Sequence, residues 1–134
     1  MYETTQTEYG FEMTFADFID ETEMREWAAA VRERLDSRPA ESDWHCLVDM
    51  RRMKAMSPDG KELMSEIKSE CHDAGLNRVG TVVADTTTRL QFQQMSRGTG
   101  AEAERYVAAD QFEDPVAVAE DWVSDGTEPP EENP

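Results

Sequence analysis

Basic residues are scarce in this chain. It carries 13 Lys plus Arg against 30 Asp plus Glu over 134 residues, a formal net charge of −17. A reader of duplex DNA or RNA needs a basic face to displace counterions from phosphates, so nucleic acid is excluded as a partner. An anionic membrane surface is disfavoured on the same ground. Long apolar runs are absent as well: nothing approaches the roughly 20 residues a transmembrane helix requires. The first ten residues, MYETTQTEYG, hold neither a basic stretch nor an apolar one. No secretory leader is therefore expected, and a cytoplasmic location is. Cysteine is limited to Cys46 and Cys71, too few for a disulfide framework.

Each cysteine adjoins a histidine, in His45-Cys46 and Cys71-His72. Zinc ligands are normally separated by intervening residues, and adjacent side chains on a strand or helix point in different directions. No metal is expected, and the cysteines are read as buried free thiols. No cofactor is expected either.

Among the basic residues only Lys54, Lys61 and Lys68 are lysines, and the other ten are arginines. The acids are spread, with 12 in residues 1–44, 10 in 45–110 and 8 in 111–134, so only the tail is enriched. A charge this large destabilises a compact state unless salt screens it, and at about 1 M the screening length is roughly 3 Å. The composition resembles that of a salt-adapted, halophilic archaeon. Spread carboxylates fit solvent adaptation better than a local acidic face that mimics nucleic acid.

Along the chain, strand and helix patterns alternate. Phe11, Met13 and Phe15 alternate with polar residues, and residues 2–7 with the Tyr9-Gly10 turn pair with them as a hairpin. Asp20 is placed as an N-cap, with Glu23 completing a capping box and Ile19 and Met24 forming a hydrophobic staple. Met24, Trp27, Ala28, Val31 and Leu35 mark the buried stripe of the helix that follows, which ends at Arg38-Pro39. Cys46-Leu47-Val48 is a short apolar run without alternation, as in a strand covered on both faces. Ser57-Pro58 starts a second helix with its stripe on Leu63, Met64, Ile67 and Cys71, stopped near Gly75. Val79 to Ala84 is a second central strand. Asp85, or one of the three threonines after it, caps a helix bearing Leu90, Phe92 and Met95. Tyr106 to Ala109 is a short strand, and Asp114-Pro115 opens a last helix that Gly126 stops.

The order β-β-α-β-α-β-α-β-α predicts an α/β fold with a mainly parallel, mixed central sheet flanked by helices. Residues 1–124 are expected to form a single domain, and 125–134 a disordered acidic tail. Asp49, Asp85 and Asp110 fall at predicted strand ends, where open α/β sheets bind ligands. With no Gly-rich phosphate loop after a strand and no serine nucleophile with its partners, no enzymatic activity is expected.

The stretch from Leu47-Val48-Asp49 through Ser57-Pro58-Asp59-Gly60 to Leu63-Met64 resembles the central signature of STAS domains, the fold of anti-sigma-factor antagonists and of sulfate-transporter tails. Arg78 to Val83 resembles the next strand of that fold. Phe112-Glu113-Asp114 through Ala119-Glu120-Asp121-Trp122-Val123 is similar to the closing helix of its SpoIIAA-like (STAS/SEC14-like) branch. The likeness covers roughly residues 9–124. In phospho-switched members of the family the helix start reads Asp-Ser-Ser-Gly, and the second serine is phosphorylated. Here Asp59 occupies that place and Ser57 is left as the cap.

The resemblance implies a non-enzymatic regulatory domain that binds a protein, such as an anti-sigma-like kinase or a sensor, as a monomer or homodimer. The contact surface is expected on the strand-to-helix loop and first turn. It would hold Arg51, Arg52, Met53, Met56, Ser57, Asp59 and Gly60, joined by Phe92 and Met95 of the third helix. The alternative is a carrier of a small apolar ligand or lipid, which the SEC14-like kinship suggests. A single chain of this length leaves little room for a long-chain pocket unless two protomers form it.

Overall fold

The computed structural model describes residues 1–36, 43–95 and 103–130. β1 (Tyr2–Gln6) and β2 (Gly10–Ile19) form the expected antiparallel hairpin, with Tyr2 opposite Phe15 and Gln6 opposite Phe11. The turn requires glycine at position 10. Its φ is 148°, and a Cβ built there would lie 2.1 Å from the His45 carbonyl oxygen. α1 (Glu21–Asp36) crosses to β3 (Trp44–Met56), α2 (Pro58–Asp73) to β4 (Leu76–Val83) and α3 (Thr86–Met95) to β5 (Glu104–Ala108). A short 3-10 turn (Ala109–Gln111) then leads into α4 (Pro115–Asp125). The sheet runs in chain order, β1-β2-β3-β4-β5, and every pair after the hairpin is parallel.

Helix starts follow the caps read from sequence. Asp20 accepts from the Glu23 amide at 2.8 Å, Ser57 from Gly60 at 3.0 Å, Asp85 from Thr88 at 2.8 Å and Asp114 from Ala117 at 3.1 Å. Glu23 does not close its capping box. Its carboxylate pairs instead with the N-terminal ammonium at 3.0 Å. Ile19 and Met24 are both fully buried. Gly126 takes the left-handed C-cap of α4, with φ 79°. The Arg38-Pro39 stop lies outside the described residues.

Cys46 and Leu47 explain why β3 shows no alternation at its start. Cys46 packs into the cluster under α1 and α2 with Phe15, Trp27, Trp44 and Ile67. Leu47 packs into the opposite cluster with Val82, Val107, Ala119, Trp122 and Val123. Both faces are covered, so both residues are apolar. Gly80 lets α4 approach, since a Cβ there would lie 3.0 Å from the Ala119 carbonyl oxygen.

Two expectations are corrected. β3 runs eight residues past Val48, to Met56, so Arg51–Met56 is strand and not loop. It stays paired because β2 is equally long: Ala16 faces Arg52 and Ile19 faces Met56, with bulges absorbing the register shifts. Asp49 consequently sits within the strand and not at its carboxyl end. Beyond α4, Glu128 accepts from the Arg105 guanidinium at 2.6 Å and 2.8 Å. Among the described residues, no helix is long and apolar enough to cross a membrane.

Candidate functional site

α2 and α3 lie over the same sheet face and scarcely touch each other. Between them opens a cavity of about 480 Å³, within the roughly 300–1,000 Å³ of small-molecule sites. Helical spacing builds its walls. Lys61, Met64, Ser65 and Lys68 recur at three- and four-residue steps along α2, and Thr88, Gln91 and Phe92 do the same on α3. Val48 and Met50 of β3 with Val79 and Thr81 of β4 form the floor, two residues apart on one strand face. Phe92 stacks on Tyr106 of β5, with ring centroids 6.0 Å apart and planes at 21°. Phe15, Trp27 and Trp44 line the inner end, where Phe15 and Trp27 meet edge to face at 5.5 Å.

The lining is unlike the rest of this molecule. Among the described residues it holds no Asp, Glu or His, although the chain has 30 acids, and it holds all three lysines. Lys68 is neutralised locally: its Nζ lies 2.5 Å from Oε1 of the buried Glu104. Tyr106 donates to the other oxygen of Glu104 at 3.0 Å, and His72 Nε2 lies 3.7 Å from Oε1. Burial pushes the Glu104 carboxyl up, but His72, Lys68 and Tyr106 together hold it below its ordinary value. Glu104 in turn raises His72 against the opposing effect of burial.

Lys54 and Lys61 are exposed at the cavity and make no ion pair among the described residues. Trp27 is only 5% exposed, and its indole N–H finds no acceptor among the described residues. Leaving such a donor unmade costs about 1–3 kcal/mol. Cys46 and Cys71 line the same space as free thiols, and burial pushes both up, Cys71 to about 12. Both stay protonated near neutrality and behave as small apolar groups.

The residues expected to share one contact surface are divided. Met53 and Phe92 face the cavity side. Arg51 is paired with Asp49 at 2.8 Å, and Asp49 projects with Leu47 toward the α4 side. Arg52 is exposed, as is Asp59 in the first turn of α2, whereas Gly60 is buried and Ser57 serves as the cap. The side chains of Met56 and Met95 lie outside the described residues. Asp85 caps α3 and Asp110 accepts from the Thr86 hydroxyl at 3.3 Å, whereas Asp49 lies within β3 and pairs with Arg51. Among the described residues no three His, Cys, Asp or Glu converge as metal ligands. His45 accepts from the Arg78 amide at 3.0 Å, away from Cys71.

Trp27, Lys54, Lys61, Lys68, Thr81 and Tyr106 were not foreseen as site residues. One trace was present in sequence: lysine is rare, and Lys61 and Lys68 stand seven residues apart, on one helix face.

A mixed five-stranded sheet with this strand order and these flanking helices is a SpoIIAA-like α/β fold. A crystal structure of an uncharacterized protein of the DUF3478 family with a SpoIIAA-like fold, from Shewanella loihica PV-4, superposes with a TM-score of 0.67 at 12% identity, covering 92% of each chain. At that identity the likeness is one of fold. No family model and no curated protein matches the sequence.

Proposed function

We propose that this chain is a non-enzymatic STAS-like domain that holds a small, largely apolar molecule between its sheet and helices α2 and α3. The observation that carries the reading is the cavity of about 480 Å³, lined by aromatic rings, methionines and aliphatic groups within a single protomer. That volume lies within one protomer, which supports a ligand site that needs no second copy of the chain. Binding fits the lining better than catalysis. Its thiols are held protonated, no carboxylate or imidazole lines it among the described residues, and the carboxylate beside the Thr88 hydroxyl, Asp85, is engaged in capping α3.

A regulatory role follows if occupancy changes how α2 and α3 sit over the sheet. The protein-partner reading, with Asp59 at the phospho-acceptor place, is less well supported, because the strand character of Arg51–Met56 divides its residues between two faces. The test is a neutral apolar dye, Nile red, with wild type and Ser65→Trp. Ser65 is exposed yet lines the cavity, so a ring there occupies the space without disturbing the core. Saturable binding by wild type and its loss in Ser65→Trp, with unchanged far-UV circular dichroism, is expected. Equal binding by both proteins, or none by wild type, overturns the reading.

A further inference from the structure

Resting on the ligand-binding reading above, we infer that the cavity takes an anionic amphiphile, an apolar chain ending in a carboxylate, with its charged end held by Lys54 and Lys61. The argument begins from the charge balance. In a chain of net charge −17, a cation has carboxylates to pair with almost everywhere. Arg25, Arg32, Arg51, Lys68 and Arg105 all do so. Among the described residues Lys54 and Lys61, like Arg52 and Arg78, make no ion pair, and the two lysines stand on the wall of the apolar cavity.

Among the described residues no Asp or Glu lines the cavity, so an anion there meets two ammonium groups and no carboxylate on its wall. A lysine ammonium needs no particular geometry to hold a carboxylate, since it acts as a compact point charge with three rotatable donors. Lys68 is not counted, because Glu104 already neutralises it. A neutral hydrocarbon would leave the two lysines unanswered.

The test compares decanoate with decanol by isothermal titration, at a KCl concentration where circular dichroism shows the wild type folded. The two ligands share a chain and differ in charge. Wild type is expected to bind decanoate about tenfold more tightly, as two partly screened ion pairs provide. The double variant Lys54→Gln/Lys61→Gln is expected to lose that preference while keeping its affinity for decanol. Both substitutions are at exposed positions, so the fold is retained and circular dichroism verifies it. Equal wild-type affinity for the two ligands overturns the anionic assignment and leaves the cavity reading standing. A preference that survives in the double variant shows that these lysines do not supply it. Binding of neither ligand overturns the cavity reading and this inference together.

Discussion

Glu104→Gln probes the polar network beside the cavity with little change of volume. In the native chain the Glu104 side chain is 2% exposed and meets Lys68 at 2.5 Å, Tyr106 at 3.0 Å and His72 at 3.7 Å. Breaking a fully buried ion pair costs about 3–5 kcal/mol. Lys68 is 24% exposed and can turn part of its ammonium to water, and the amide oxygen still accepts from Tyr106. The expected loss is therefore about 2 kcal/mol, which for a domain of this size lowers the melting temperature by about 7 °C.

The pH dependence has a definite sign. His72 is raised above 6.5, so its contribution is complete below 6.5 and lost as pH rises through the raised value. Glu104 is lowered below 4.5, so its contribution is complete above 4.5 and lost as pH falls through the lowered value. Both contributions are present together between 4.5 and 6.5, where the difference between wild type and Glu104→Gln is expected to be largest. Thermal melts across that range, with the His72 titration followed by NMR, provide the assay. In the variant His72 loses the group that raises it and titrates lower. A melting temperature within about 1 °C of wild type, with the His72 titration unmoved, refutes the network.

Two further outcomes follow from the same structure. Cys46 and Cys71 are buried and protonated, so a thiol reagent is expected to label neither in the folded protein and both after denaturation; rapid labelling of the native chain contradicts the packing under α1 and α2. The net charge of −17 predicts a melting temperature that rises with KCl, as screening relieves self-repulsion; a midpoint independent of salt contradicts the inference of adaptation to brine.

Local signals in the sequence placed most of the elements. Asp20, Ser57, Asp85 and Asp114 each cap the helix they precede, because an acceptor side chain before an apolar stripe leaves few other uses for the first-turn amides. The unalternating Cys46-Leu47-Val48 run identified a strand covered on both sides. The end of β3 was not legible. Arg51 and Arg52 read as loop, yet β2 pairs with the strand as far as Met56, and pairing with a distant segment is invisible to local periodicity. The cavity was less legible still. Its lining is drawn from Met13 to Tyr106, and its existence depends on α2 and α3 standing apart, a spacing that neither helix encodes alone. Lysine scarcity was visible, but only the fold shows that the three share one cavity.

The most direct test of the central claim is a titration of decanoate followed through methionine methyl resonances. Of the six methionines whose side chains are described, Met13, Met50, Met53 and Met64 line the cavity, whereas Met1 and Met24 do not. Saturable shifts of those four signals, with Met1 unmoved, are the predicted result. If all four stay in place as decanoate is added, or Met1 alone responds, the molecule is not held between the sheet and helices α2 and α3.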